Sequence, residues 1–223
     1  MIAQKTTPSN KFLFLSSAIV FLVVLSYGFF LATKRPIWGD EIHTLGSIMQ
    51  KEYDSTIKVG YWEILLGKID YESNNAPMFY VIHRSILDIF NLKYVNGLDL
   101  ETVPYSRIIL RINSVFFGAL AVTLFFMYFT KHYSIWAGFY AVVLTLSSHL
   151  FLLYWAEGRP YMMWESLTAA EILLFLLLMR HGYQAHYWRM LVVVNILIVS
   201  TSVFSFPGLF ILWRYVLGNG KFS

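Results

Sequence analysis

"APMFYVIHRSILDIFNL", residues 76–92, decides the fold. If it crosses a membrane, every segment after it changes side. If it lies flat, the long stretch between residues 33 and 107 is one loop on a single face. The run is apolar enough to span. Yet Tyr80, Arg84, Asp88 and Asn91 recur at helical spacing and form one polar stripe, with Phe79, Ile82, Ile86 and Phe90 on the other face. Holding Arg84 and Asp88 at the bilayer centre costs roughly 2.5–3.5 kcal/mol each on insertion scales. A helix so divided sits at the interface more cheaply than it spans.

The surrounding chain has 223 residues, 57% hydrophobic and 13% charged. A soluble domain carries about 25% charged residues. Much of this surface therefore faces something other than water, and the expected class is an all-α, multi-pass membrane protein. Spanning helices are expected at 12–32, 108–130, 135–155, 161–180 and 190–213, each close to the ~20 residues a span requires. The first follows Lys5 and Lys11 and is too long for the apolar core of a cleaved signal, so it reads as an uncleaved anchor.

Charge supports the flat placement of 76–92. With five spans, the segments on one side are 1–11, Lys131–His132 and 180–189, which hold basic residues and no acid. The positive-inside rule makes that side cytoplasmic. The loop 33–107, with ten of the thirteen acids, and the turn 156–160 then lie outside. Two interfacial helices are expected in the loop, one starting near Asp40 and one at 76–92. The net charge of +4 comes from residues at the ends of apolar segments, which argues against a nucleic-acid partner. With no cysteine, the chain has neither disulfides nor thiolate ligands.

Four stretches carry candidate chemistry. "IWGDEIHT" (37–44) sets Asp40 beside Glu41 just after the first span. The plain reading is helix capping, with Asp40 at N-cap and Glu41 at N1. The chemical reading is a general base at the mouth of a membrane cavity. "ESNNAPMFYVIHR" (72–84) either starts an interfacial helix or also walls that cavity. Arg107 and Arg111, four apart, share a helix face; snorkelling explains Arg107, whereas Arg111 lies a turn deeper, facing protein or an anion. "YWAEGRPYMM" (154–163) gathers Glu157, Arg159 and Tyr161 in the outer turn. There Arg159 makes a surface pair with Glu157 or holds a phosphate bidentately. Within the fourth span, Glu165 and Glu171 fall on different faces, and Asn113 and Asn195 suit interhelical hydrogen bonds.

In this order the four stretches resemble the GT-C class of membrane glycosyltransferases. The nearest branch holds protein O-mannosyltransferases, the aminoarabinose transferase of lipid A and related core-sugar transferases. "WGDEIHT" stands where that branch has an Asp-Glu pair, and "APMFYVIHR" where it has an interfacial helix. "RINSVFFGAL" and "EGRPYMM" stand where it has an Arg-led span and an outer Arg-x-Tyr turn. Ala76, Asn74, Asn75 and Asn113 depart from the pattern, and members run to about twice this length. The expectation is thus the N-terminal portion of such an enzyme, residues 1–223 forming one transmembrane module.

The resemblance implies inverting transfer of a sugar from a polyprenyl-phosphate donor to a lipid, glycan or protein acceptor, outside the cytoplasmic membrane. It implies Asp40 as general base, with Glu41 positioning the acceptor or tuning Asp40. Arg159 and Tyr161, with help from Arg111, would meet the donor phosphate. Asn75, Tyr80, His83 and Glu157 would line the acceptor side. It calls for no cofactor, and no ligand spacing supports a divalent metal. It leaves room for a C-terminal companion chain. Two other readings stand beside it: a non-catalytic partner with the same fold, and a transporter or channel subunit, which would show helices broken within the bilayer.

Overall fold

A computed structural model describes residues 8–51, 54–69, 77–92, 100–182 and 184–201. Three helices are long and apolar enough to cross a bilayer: α1 (Asn10–Lys34), α5 (Ser106–His132) and α8 (Tyr161–His181). At 1.5 Å per residue each reaches the ~30 Å of a hydrocarbon core. Ser9 caps the first, its hydroxyl accepting from the Phe12 N–H at 3.2 Å. The architecture is that of a helical, multi-pass membrane protein.

The third expected span, 135–155, is two helices rather than one. α6 (Ile135–Ser147) and α7 (His149–Trp155) meet at a 74° bend, so the described residues hold three helices long enough to span, or four spans if this pair counts as one. The break has a local cause. The Ser148 hydroxyl accepts from the Phe151 N–H at 3.3 Å and starts α7 afresh. The bend delivers Trp155 between α1 and α5, where it is fully buried and its indole N–H donates to the Val115 carbonyl at 3.0 Å. Glycines make the room: a Cβ on Gly118 would stand 2.2 Å from the indole, and one on Gly28 2.7 Å. The fifth expected span begins as α9 (Ala185–Val199); residues 202–213 lie outside the described residues.

The loop after α1 folds back over the helix ends. α2 (Gly39–Met49) leads into a two-stranded antiparallel ribbon, β1 (Gln50–Lys51) and β2 (Asp54–Lys58). A short turn of helix, α3 (Tyr61–Leu65), follows, with the Glu63 carboxylate accepting from the Gly60 N–H at 2.8 Å. Then comes α4 (Met78–Ile89), the segment on which the fold turns. Its 12 residues extend about 18 Å, too short to cross. The Met78 N–H donates to the Ser200 carbonyl at 2.8 Å, which ties the start of α4 to the end of α9.

α4 is not divided quite as its pattern suggests. Phe79, Tyr80, His83 and Leu87 form the buried face. Tyr80, expected on the polar stripe, is wholly inside, and Phe90 is exposed. Arg84 is spent on the loop: Nη1 donates to the carbonyls of Ile48 (2.6 Å) and Val59 (3.0 Å), and Nε pairs with Asp88 at 2.9 Å. Tyr61 donates to Asp88 at 2.8 Å. The long cation thus supplies donors to backbone carbonyls near the end of α2 and just after the ribbon. The core under α4 joins Leu45, Ile48, Ile64, Phe79 and Tyr80 to Leu110 and Met163 of the bundle.

Candidate active site

Glu41 anchors the site. Trp38 occupies the N-cap of α2, so Glu41 is its third helical residue rather than its first. Its Oε2 reaches back to the Trp38 N–H at 2.9 Å, half of a capping box. Arg111, in the second turn of α5, clasps the same carboxylate: Nε to Oε1 at 2.8 Å and Nη2 to Oε2 at 2.6 Å. The Gly158 N–H donates to Oε1 at 2.6 Å. Both side chains of the pair are 1% exposed.

Arg111 has no donor left for a ligand. Nη1 bonds the carbonyls of Ala32 (2.7 Å) and Arg35 (3.0 Å), and Nη2 bonds that of Pro36 (2.7 Å). All five N–H groups are occupied by protein. The expectation that Arg111 helps to hold a phosphate gives way to a structural role, in which it fixes the last turn of α1 to α2 and α5. Likewise Glu41 is enclosed and does not face an acceptor. It positions its neighbours.

Asp40, one residue earlier, points the other way. Its side chain is 59% exposed, and Oδ2 lies 3.9 Å from Nη2 of Arg159. Nη1 of Arg159 donates to the Thr44 hydroxyl at 3.0 Å and to the Asp40 carbonyl at 3.4 Å. The guanidinium stands 5.7 Å from the Tyr161 ring centre, and that ring lies 4.5 Å from the ring of Tyr154. The Arg159 carbonyl accepts from Ser114 at 3.1 Å. Asp40, Arg159 and Tyr161 are therefore together, 119 residues separating the first two in the chain.

Gly158 explains how the turn fits. A Cβ there would lie 2.7 Å from the Leu110 carbonyl oxygen and 3.3 Å from Glu41 Oε1. Only a glycine lets the backbone approach α5 this closely. Glu157, just before it, is 5% exposed. Burial raises its pKa, the Glu41 charge adds to this, and Arg35, Arg159 and Arg111 oppose it.

The other expected residues are placed differently. Tyr80 and His83 are in the core under α4, not on an open wall. His83 stacks on Phe79 at 5.2 Å, and its Nδ1 has no hydrogen-bond partner among the described residues. Burial lowers its pKa to about 4, against a raising pull from Glu41. Asn75 lies outside the described residues. Within α8, Glu171 is buried and Glu165 is exposed on another face. Thr44 is the residue that sequence reasoning missed. It stands four after Asp40, the spacing that brings a hydroxyl onto the same helix face.

Among the described residues no three His, Asp or Glu side chains converge to hold a metal ion. What the site offers is an accessible carboxylate beside a fixed guanidinium, with aromatic rings against it. That pairing can take a proton from a nucleophile and stabilise an anion only a few ångströms away. No family model, no curated protein and no solved structure matches the chain.

Proposed function

We propose that the chain is a membrane glycosyltransferase, or the N-terminal module of one, that moves a sugar from a polyprenyl-phosphate donor to an acceptor hydroxyl at the outer leaflet. The observation that carries this reading is the 3.9 Å separation of Asp40 and Arg159. In the reaction, Asp40 takes the proton as the acceptor oxygen attacks the anomeric carbon from the face opposite the phosphate. The bond from that carbon to the phosphate oxygen breaks, and the configuration inverts. The electron pair leaves with the polyprenyl phosphate, whose growing charge Arg159 meets. A cation held by Thr44 and the Tyr161 ring needs no rearrangement at that moment, which is where electrostatic catalysis gains most.

Expression as a multi-pass protein in a cytoplasmic membrane, with this site outside, is part of the same proposal. The experiment supplies membranes containing the chain with a polyprenyl-phosphate sugar labelled in the sugar. Appearance of label in an acceptor, with the anomeric centre inverted, supports it. Label that stays in the donor, even when any reading frame directly downstream is co-expressed, counts against it. A second reading, a transporter subunit, draws on the 74° break at Ser148. Against it, the bend seats Trp155 in an apolar cluster of the bundle core.

A further inference from the structure

The bundle gathers polar groups a second time, at the end away from Arg159. α8 starts at Tyr161, beside that residue, and runs for 21 residues, so its last turn lies about 30 Å away. There the ends of three helices bring their rings into one row. The Tyr128 and His132 rings of α5 stand 4.7 Å apart. His132 lies 6.0 Å from His181 at the end of α8, and His181 lies 6.3 Å from Tyr187 on α9. His186 closes the row, 3.9 Å from Tyr187. Cations flank it. Lys131, Arg180 and Arg189 are all exposed, and Arg180 is within electrostatic reach of Tyr128. The stretches that meet here, 128–135 and 179–190, contain no Asp or Glu, and neither does 1–11, where α1 begins.

Snorkelling explains a long cation at a helix end. It does not explain imidazoles from two helices set side by side among guanidinium and ammonium groups. Cations gathered without an acid repel one another unless an anion joins them. Guanidinium and imidazole N–H groups suit phosphate oxygens, which accept several such bonds at once. The apolar surface beside the row points to what carries that phosphate. α8 exposes Leu176 and Met179, and α9 exposes Met190 and Val193, all within about two turns of this end. A phosphate that seats here arrives with acyl chains attached.

We infer that the ends of α5, α8 and α9 form a binding site for the phosphate headgroup of an anionic phospholipid, with Arg180 and His181 as its central donors and the acyl chains lying along α8 and α9. Basic pockets between spanning helices suit such headgroups, and each cation near the surface is worth about fivefold in affinity. The site is separate from Asp40 and Arg159, so it stands or falls independently of the glycosyltransferase reading.

The test uses the full chain in detergent. It measures binding of, and thermal stabilisation by, phosphatidylglycerol, phosphatidylcholine with the same acyl chains, and inorganic phosphate. Phosphatidylglycerol should bind about tenfold more tightly than phosphatidylcholine, and inorganic phosphate should not stabilise the chain. Arg180→Gln and His181→Gln, both at exposed positions, should each weaken phosphatidylglycerol binding about fivefold and leave phosphatidylcholine binding unchanged. Lys58→Gln, on the ribbon at the opposite end, should keep the preference. Equal binding of the two lipids leaves only snorkelling and overturns the inference. So does a preference that survives both substitutions, or one that Lys58→Gln abolishes equally. Stabilisation by inorganic phosphate as large as that by phosphatidylglycerol makes this a site for a free anion and overturns the lipid assignment. If Arg180→Gln or His181→Gln fails to accumulate, Arg189→Gln and the lipid comparison in the wild-type chain decide.

Discussion

Asp40 and Glu41 are neighbours in the chain and opposites in the fold: one carboxylate is 59% exposed, the other 1%. Helical geometry separates them by about 100° around α2. Asp40 faces Arg159 and the open side. Glu41 faces inward, to Arg111, Gly158 and Trp38. The inner acid holds the turn that carries Arg159, and the exposed acid faces the Arg159 guanidinium.

Asp40→Asn keeps the size of the side chain and removes the base. Its exposure predicts normal expression and thermal stability. Sugar transfer falls by about 10²–10⁴-fold, the usual range for loss of a positioned general base. Transfer rates in membranes with matched protein levels check this. A rate within a few-fold of wild type removes Asp40 from the mechanism.

Glu41→Gln behaves in the opposite way. It leaves the Arg111 charge buried without its counter-ion, which costs about 3–5 kcal/mol. The variant should melt at markedly lower temperature in detergent or fail to accumulate. Arg111→Lys is no rescue, because an ammonium cannot make five bonds in a planar fork.

These two predictions show what was legible in sequence. Asp40, Arg159 and Tyr161 could be brought together because each sits at the end of a recognisable element. That α4 is not among the helices long enough to span agrees with the charges it carries. The fate of Glu41 could not, because two of its donors are the backbone N–H groups of Trp38 and Gly158, and Arg111 is held by carbonyls. Backbone partners leave no mark in residue identity. The break at Ser148 was hidden for a related reason. The polar run Ser147-Ser148-His149 is short beside the apolar residues on either side of it within 135–155, and a serine hydroxyl capping a new helix adds little to that dip.

Gly158→Ala tests the fit of the outer turn. The added methyl meets the Leu110 carbonyl at 2.7 Å, so the backbone must retreat and lengthen the Gly158-to-Glu41 hydrogen bond. A destabilisation of about 1–3 kcal/mol is expected, typical of overpacking. Arg159 should shift with the turn, so transfer falls as well. Thermal denaturation and rate measured on one preparation would separate the two effects.

His83 makes the fold sensitive to acid. Its folded pKa of about 4 lies below the 6.5 of an exposed histidine, so the native state favours the neutral ring. The contribution is complete above pH 6.5 and is lost as pH falls toward about 4; below that both states are protonated. The gap corresponds to about 3 kcal/mol as an upper bound. Unfolding followed against pH should show this loss, and His83→Phe, which keeps the stacking on Phe79, should flatten the profile in that window.

Sidedness is open to direct measurement. The chain lacks cysteine, so single cysteines give a clean background. A membrane-impermeant thiol reagent applied outside intact cells should label Lys58→Cys, on the exposed end of the ribbon, and not Lys131→Cys. The reverse pattern inverts the topology. Asn96→Cys extends the test to the segment after α4 and should be labelled from outside.

The clasp on Glu41 also sets an order of events during synthesis. Its last partner, Gly158, leaves the ribosome 117 residues after it. At ordinary translation speeds that is a delay on the order of ten seconds. Through that interval α2 lacks its final contact. The nascent chain therefore cannot complete the clasp on Glu41 until the bent pair, which precedes Gly158, has been made. Maturation waits on the middle of the polypeptide, not on its beginning.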